Sequence, residues 1–180
     1  MLPPTATPSR WADIVAFTAY WRANCPADGL MPARADLDPV AMKRWLGSLS
    51  ILDVVDGGRD FVFRLYGSVL AQTVGFDMTG KSATSYPGGR QDVLINSYRA
   101  TVDARRPLLS SIIVRFTGRP TAMAWERVVA PLARDGVTVD KLIVLAYRVE
   151  LESDLDAYRA QAAESEATLL ILDNPSVDWM

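Results

Sequence analysis

In a segment read as helical from about Arg10 to Asn24, residues Trp11, Ile14, Val15, Thr18 and Trp21, with Cys25 just beyond, fall in a stripe about 120° wide at roughly 100° per residue. That spacing predicts a helix with Ser9 as its cap and Pro26 and Gly29 beyond its end, following a loose Pro- and Thr-rich arm over Leu2 to Pro8. Phe17 and Tyr20 lie outside the stripe, so the helix offers apolar surface on a second side. Asp38-Pro39 pairs a capping residue with a proline at the first helical position and predicts a short helix through Trp45. The period then changes. Leu49 to Val55 and Asp60 to Tyr66 read as strands joined by the turn Asp56-Gly57-Gly58-Arg59, and apolar residues at both odd and even positions imply cover on both faces.

From Ser68 to Gly89 short helical stretches are broken by Gly75, Gly80, Pro87 and Gly88-Gly89. A longer helix is predicted from about Arg90 to Arg106, with Leu94, Ile95, Tyr98 and Val102 on one side and Pro107 as its stop. Three further strands follow, Leu108 to Phe116, Ala122 to Pro131 and Val137 to Val149. The short turns at Gly118-Arg119-Pro120 and Ala133-Arg134-Asp135-Gly136 make them antiparallel neighbours. After Glu150, Ser153 can cap an Ala- and Glu-rich helix to about Thr168, ahead of an apolar tail, Leu169 to Leu172.

Composition narrows the function more than the fold. The 180 residues are 49% hydrophobic and 22% charged, the balance of one globular domain. A net charge of −2 with scattered Lys and Arg lacks the footprint of a phosphate-neutralising surface, so no nucleic-acid partner is expected. No apolar run approaches the roughly 20 residues a membrane span needs, and Met1 to Pro8 lacks the features of an export signal. With a single cysteine there is no internal disulfide and no zinc cluster, and a cytoplasmic setting is expected. The chain has no histidine, which excludes Ser-His-Asp triads, Cys-His dyads, histidine-ligated haem and HExxH zinc sites.

Several words of the sequence resemble a family. They are Leu30-Met31-Pro32-Ala33-Arg34-Ala35-Asp36-Leu37-Asp38-Pro39, then Leu52-Asp53-Val54-Val55, then Gly58-Arg59-Asp60-Phe61-Val62-Phe63-Arg64-Leu65-Tyr66-Gly67, and finally Gly75-Phe76-Asp77-Met78-Thr79-Gly80-Lys81. In this order, over roughly residues 10 to 150, the chain resembles the small stand-alone bacterial PAS-like proteins that carry an N-terminal helical cap. The resemblance implies an α+β fold with a five-stranded antiparallel sheet in the order 2-1-5-4-3, the middle helices on one face and the N-terminal helix on the other. It divides the chain into an arm and cap helix over 1–29, a PAS-like domain over 30–150, and a C-terminal helix and tail over 151–180.

Fold analogy does not locate a site, so the residues must. Arg64 and Tyr66 alternate onto one face of the second strand; Trp125 and Arg127 share a face of the fourth, with Glu126 opposite. A guanidinium beside aromatics suits a small anionic or planar ligand, and Tyr98 on the long helix can face the same pocket. The plainer alternatives are an arginine stacked or ion-paired under the N-terminal helix, and a tyrosine packed in the core. Cys25 sits in Asn24-Cys25-Pro26 at a helix end, which departs from the Asn-Cys-Arg segment of flavin-linking relatives, and reads as a packing thiol. Noncovalent flavin stays open, and the cofactor, if there is one, is unknown. Gly57-Gly58 and Gly88-Gly89 lack phosphate-loop spacing and its lysine, and acidic pairs such as Asp53 with Asp56 or Asp154 with Asp156 read as turn and helix-start residues.

No set of residues supports catalysis, so a non-enzyme is expected. The segment after Glu150 is too short for a kinase, cyclase or DNA-binding module, so a signal would pass by contact with a protein partner, or with a second copy through the N-terminal helix. The rival readings are a small-molecule carrier and a histidine-independent enzyme using the PAS-like cavity.

Overall fold

The computed structural model describes residues 9–89, 91–116, 122–151 and 155–174. The arm over Leu2 to Pro8, the turn Gly118-Arg119-Pro120, the Ser153 cap and Asp154 lie outside the described residues.

Strands β1 (Leu49–Val55) and β2 (Asp60–Tyr66) form the expected hairpin, closed by Asp56, Gly57 and Gly58 with φ of 49°, 64° and 85°. Three successive left-handed residues make the reversal abrupt, and the two glycines adopt that region at no steric cost. Helix α2 (Ser68–Val74) ends on Gly75, and helix α3 (Gln91–Ala104) is the long helix of the middle segment. Strands β3 (Leu108–Phe116), β4 (Ala122–Leu132) and β5 (Lys141–Leu151) run antiparallel, each paired with the next. β5 then pairs with β1, giving the order 2-1-5-4-3.

The sheet has a sixth strand. After β5 the chain forms helix α4 (Asp156–Glu164) and returns as β6 (Thr168–Asn174), which pairs parallel to β3 from Ser110↔Thr168 to Phe116↔Asn174. The sheet is therefore mixed and reads β2-β1-β5-β4-β3-β6, a correction to the five-stranded, wholly antiparallel expectation. The Leu169-to-Leu172 run is this strand and not a tail. A short apolar run without alternation is what a parallel strand looks like, and a helix-linked crossover is how a parallel neighbour is reached.

Strand alternation splits the core between two faces. Leu49, Ile51, Val128, Ile143 and Leu145 face helix α1 (Trp11–Ala23) and α4; Leu52, Phe61, Phe63, Val129, Leu142 and Val144 face α2 and α3. At the exit of β2 the chain passes so close to the start of β1 that a Cβ on Gly67 would collide with the carbonyls of Gly47 and Leu49, so only glycine fits there.

Two expectations about the N-terminal region change. The buried arc of α1 comprises Trp11, Ile14, Phe17, Thr18 and Trp21, while Val15 is 47% exposed. The arc is rotated because residues 38–48 fold along one flank of the helix. Trp45 packs edge-on against Phe17 at 5.2 Å and lies 5.8 Å from the Tyr20 ring, and the Asp38 amide donates to the Tyr20 hydroxyl at 2.9 Å. The second apolar side of the helix is thus covered from within the chain, so Phe17 and Tyr20 do not form a partner surface. Nor is the stretch from Asp38 to Trp45 a helix. The Asp38 carboxylate accepts from the Val40 amide at 2.9 Å, but the bonds that follow form successive turns leading into a 3₁₀ turn over Leu46–Ser48.

Candidate functional site

Strand β4 carries two buried charges in succession, Glu126 and Arg127, and alternation sends them to opposite faces of the sheet. Glu126, 0% exposed, lies under the N-terminus of α1. Its Oε2 accepts the Arg10 amide at 2.6 Å, while the Trp11 amide reaches the expected cap, Ser9, only at 3.4 Å. The helix start is therefore held by a carboxylate from the sheet, whose charge suits the positive end of the helix. Burial pushes the Glu126 carboxyl above its usual range, and the hydrogen bond from Arg10 only partly offsets this. Among the described residues its Oε1 is buried without a hydrogen-bond partner. Nearby, the hydroxyls of Ser111 and Tyr158 lie 2.7 Å apart and tie β3 to α4.

On the other face, between the sheet and helices α2 and α3, lies a cavity of about 120 Å³. Four of the five residues singled out from the sequence line it: Tyr66, Tyr98, Trp125 and Arg127. Aromatic edges make its walls, with Phe63 and Tyr66 at 5.4 Å and nearly perpendicular, and Tyr98 set against Phe61 at 5.2 Å. The Tyr66 hydroxyl is 3.4 Å from that of Tyr86. Burial pushes the Tyr66, Tyr86 and Tyr98 hydroxyls above their usual range, so all three are neutral phenols at physiological pH. An adjoining hollow of about 380 Å³ shares Tyr86, Met123 and Trp125 with the cavity and is bordered by Phe76 and Arg148.

Arg127 is 5% exposed. Its Nε donates to Ser110 Oγ at 3.0 Å, from the residue directly opposite on β3. Among the described residues no carboxylate forms a salt bridge with it, and no acceptor meets its Nη groups. Burial pulls the guanidinium below its ordinary value, yet arginine keeps its proton in proteins, so the cavity has a positively charged wall.

The fifth residue, Arg64, is elsewhere. The β1–β2 register runs from Ile51↔Leu65 to Leu52↔Phe63, so Arg64 is the extra residue of a bulge. The bulge interrupts the alternation, placing Phe63 and Tyr66 on the helix face and Arg64 on the other, where its Nε donates to Asp53 at 2.5 Å. Burial opposes ionisation of Asp53, but Lys141 and Arg64, both bonded to it, together hold its carboxyl below the usual range. Cys25 is also remote. It packs against the α1-side core, its thiol 3.6 Å from the Trp21 carbonyl and pushed up by burial, across the sheet from the cavity.

The sequence reading missed Ser110, Phe63 and Tyr86. Ser110 had a usable signal, because it falls opposite Arg127 once the β3–β4 register is known. Tyr86 had none, since it follows a 3₁₀ turn over Ala83–Ser85 whose position depends on contacts with β2.

No curated protein sequence matches the chain. Structures of similar fold include VqmA bound to DPO, 12% identical over 61% of this chain and 56% of that one, with a TM-score of 0.44. Another is a sensory box sensor histidine kinase from Vibrio cholerae, 18% identical over 61% and 89%, TM-score 0.41. A third is the light state of the blue-light photoreceptor Aureochrome1 LOV, 11% identical over 70% and 96%, TM-score 0.44. The chain spans about half the length of the VqmA chains it matches. The family profile described as PAS domain matches residues 11–147, from the start of α1 to well within β5, and the chain therefore belongs to the PAS domain family.

Proposed function

We propose that this PAS domain is a sensory and regulatory protein that works by contact with a protein partner and is modulated by a small molecule held in the helix-side cavity. The observation that carries the reading is Arg127, a buried cation facing an aromatic cavity with one hydroxyl as its hydrogen-bond partner among the described residues. A domain built only for packing gains nothing from such a charge, because burying it without a counter-charge is costly.

Contact with a second copy or another protein is assigned to the outer side of α1, where Ala12, Val15 and Ala19 are exposed on one face. The domain is read as non-catalytic. In support, no carboxylate among the described residues lines the cavity, so none of them pairs a general acid or base with a reaction centre there. Among the described residues no helix is long and apolar enough to cross a membrane.

Native mass spectrometry on gently purified protein, with hydrogen exchange before and after ligand extraction, tests the reading. The expected result is a retained small molecule whose removal lowers protection in α3 and in residues 76–86. A chain that carries no extra mass and shows no protection change with any compound of a metabolite library would sink it.

A further inference from the structure

Arg127 constrains what the cavity accepts. Because Nε is engaged by Ser110 Oγ, the plane of the guanidinium is fixed and its two Nη groups remain as a preset fork of donors. The same bond locates the fork on the sheet floor of the cavity, since Ser110 and Arg127 are partners in the β3–β4 ladder.

The remainder of the lining decides the charge of the ligand. Among the described residues Arg127 is the only lysine or arginine lining the cavity, and apart from Ser50 the others are aromatic or apolar. Arg148 borders the adjoining hollow, and its Nη2 lies 3.8 Å from Glu150. One cation balances one negative charge; a second charge on the ligand would be buried unpaired. Tyr66, Tyr98 and Trp125 present flat faces and edges against which an aromatic ring packs. A cavity of about 120 Å³ restricts the group to a small one.

Resting on the ligand-modulated reading above, we propose that the cavity binds a small aromatic monocarboxylate, its carboxylate forked by the Nη groups of Arg127 and its ring held among Tyr66, Tyr98 and Trp125. Ser110 is a positioning residue that holds the fork in plane. The carboxylate gains two charge-assisted hydrogen bonds in a water-poor setting, and a neutral ligand of the same shape gains neither charge nor a matched pair of acceptors.

The test uses the full chain, titrated with benzoate, benzamide, cyclohexanecarboxylate and inorganic phosphate and followed by calorimetry and by amide resonances of cavity residues. Benzoate is expected to bind at least about ten-fold tighter than benzamide and a few-fold tighter than cyclohexanecarboxylate, with phosphate not competing. Arg127→Met is expected to remove the preference, bringing benzoate down to the affinity of benzamide and leaving benzamide unchanged. Ser110→Ala is expected to weaken benzoate a few-fold without affecting benzamide. If Arg127→Met does not fold, Arg127→Lys keeps the charge without the fork and should weaken benzoate about five- to ten-fold. Benzamide binding as tightly as benzoate, or benzoate unaffected at Arg127→Met, would overturn the anion assignment while leaving a ligand cavity intact. Phosphate competing with benzoate would overturn the monoanion restriction, and cyclohexanecarboxylate matching benzoate the aromatic one. If no compound shifts the cavity resonances, this proposal fails and the ligand-modulated reading loses its support from the cavity.

Discussion

Glu126 and Arg127 are consecutive, buried and oppositely charged, yet the two faces of the sheet treat them differently. On the α1 face, Glu126 meets the N-terminus of a 13-residue helix, and what that helix leaves unbalanced can be relieved by taking up a proton. On the α2–α3 face, Arg127 has a single hydroxyl as its hydrogen-bond partner among the described residues and no route to neutrality, because a guanidinium does not give up its proton. Burial by itself therefore does not mark a functional charge. What marks it is a charge that neither the fold nor protonation can compensate.

That contrast is open to attack by substitution. The largest effect is expected at Glu126→Ala, which leaves the Arg10 amide and the start of α1 without an acceptor and opens a void; urea unfolding should show a loss of about 3 kcal/mol. A loss below about 1 kcal/mol would mean that the carboxylate does not hold the helix. Arg127→Met should act in the opposite direction, neutral or stabilising by about 1–2 kcal/mol in the same assay, since it replaces an uncompensated buried charge with apolar volume. A loss there as large as at Glu126→Ala would erase the difference between the faces.

The titration of Glu126 sharpens the comparison further. Its folded-state pKa is raised, so in the window between the ordinary carboxylate range and the raised value the native state holds a proton that the unfolded chain has released. Stability is then fully present below the unfolded value and is lost as pH rises through the folded one, by about 1.4 kcal/mol per unit of difference. Glu126→Gln should lack this component, so the stability of the native protein relative to this variant should fall as pH rises across that window. A constant gap would show that the carboxyl titrates normally. The smallest effect is expected at Arg64→Ala. Its pair with Asp53 is exposed on the arginine side and Lys141 remains, so a loss of less than about 1 kcal/mol and no change in ligand binding should follow.

The regions that were legible in the sequence are those whose signals are local. The β1–β2 hairpin follows from Asp56-Gly57-Gly58, and the β4–β5 turn from Ala133 to Gly136. The separation of Glu126 from the Trp125–Arg127 face follows from the two-residue period alone. Tyr66, Tyr98, Trp125 and Arg127 could be brought to one cavity because the order of strands placed β2, α3 and β4 around it. Arg64 went to the wrong face because a bulge is set by pairing with β1, which the β2 sequence does not display. Glu126 as the anchor of α1 was out of reach, since 116 positions separate it from Arg10. The arc of α1 was misjudged for a related reason. Phe17 is buried by Trp45, which belongs to a segment whose own local pattern suggested a helix.

The bulge in β2 has a corollary for how this strand tolerates changes in length. Omitting residue 64 would let Phe63 and Leu65 follow one another in ordinary alternation, with Tyr66 still directed inward and the pairing with Ile51 and Leu52 preserved. Omitting Val62 instead would invert Phe61 relative to Phe63 and tear the inner aromatic row. The hairpin thus holds one dispensable backbone unit, situated where the chain departs from its pleat.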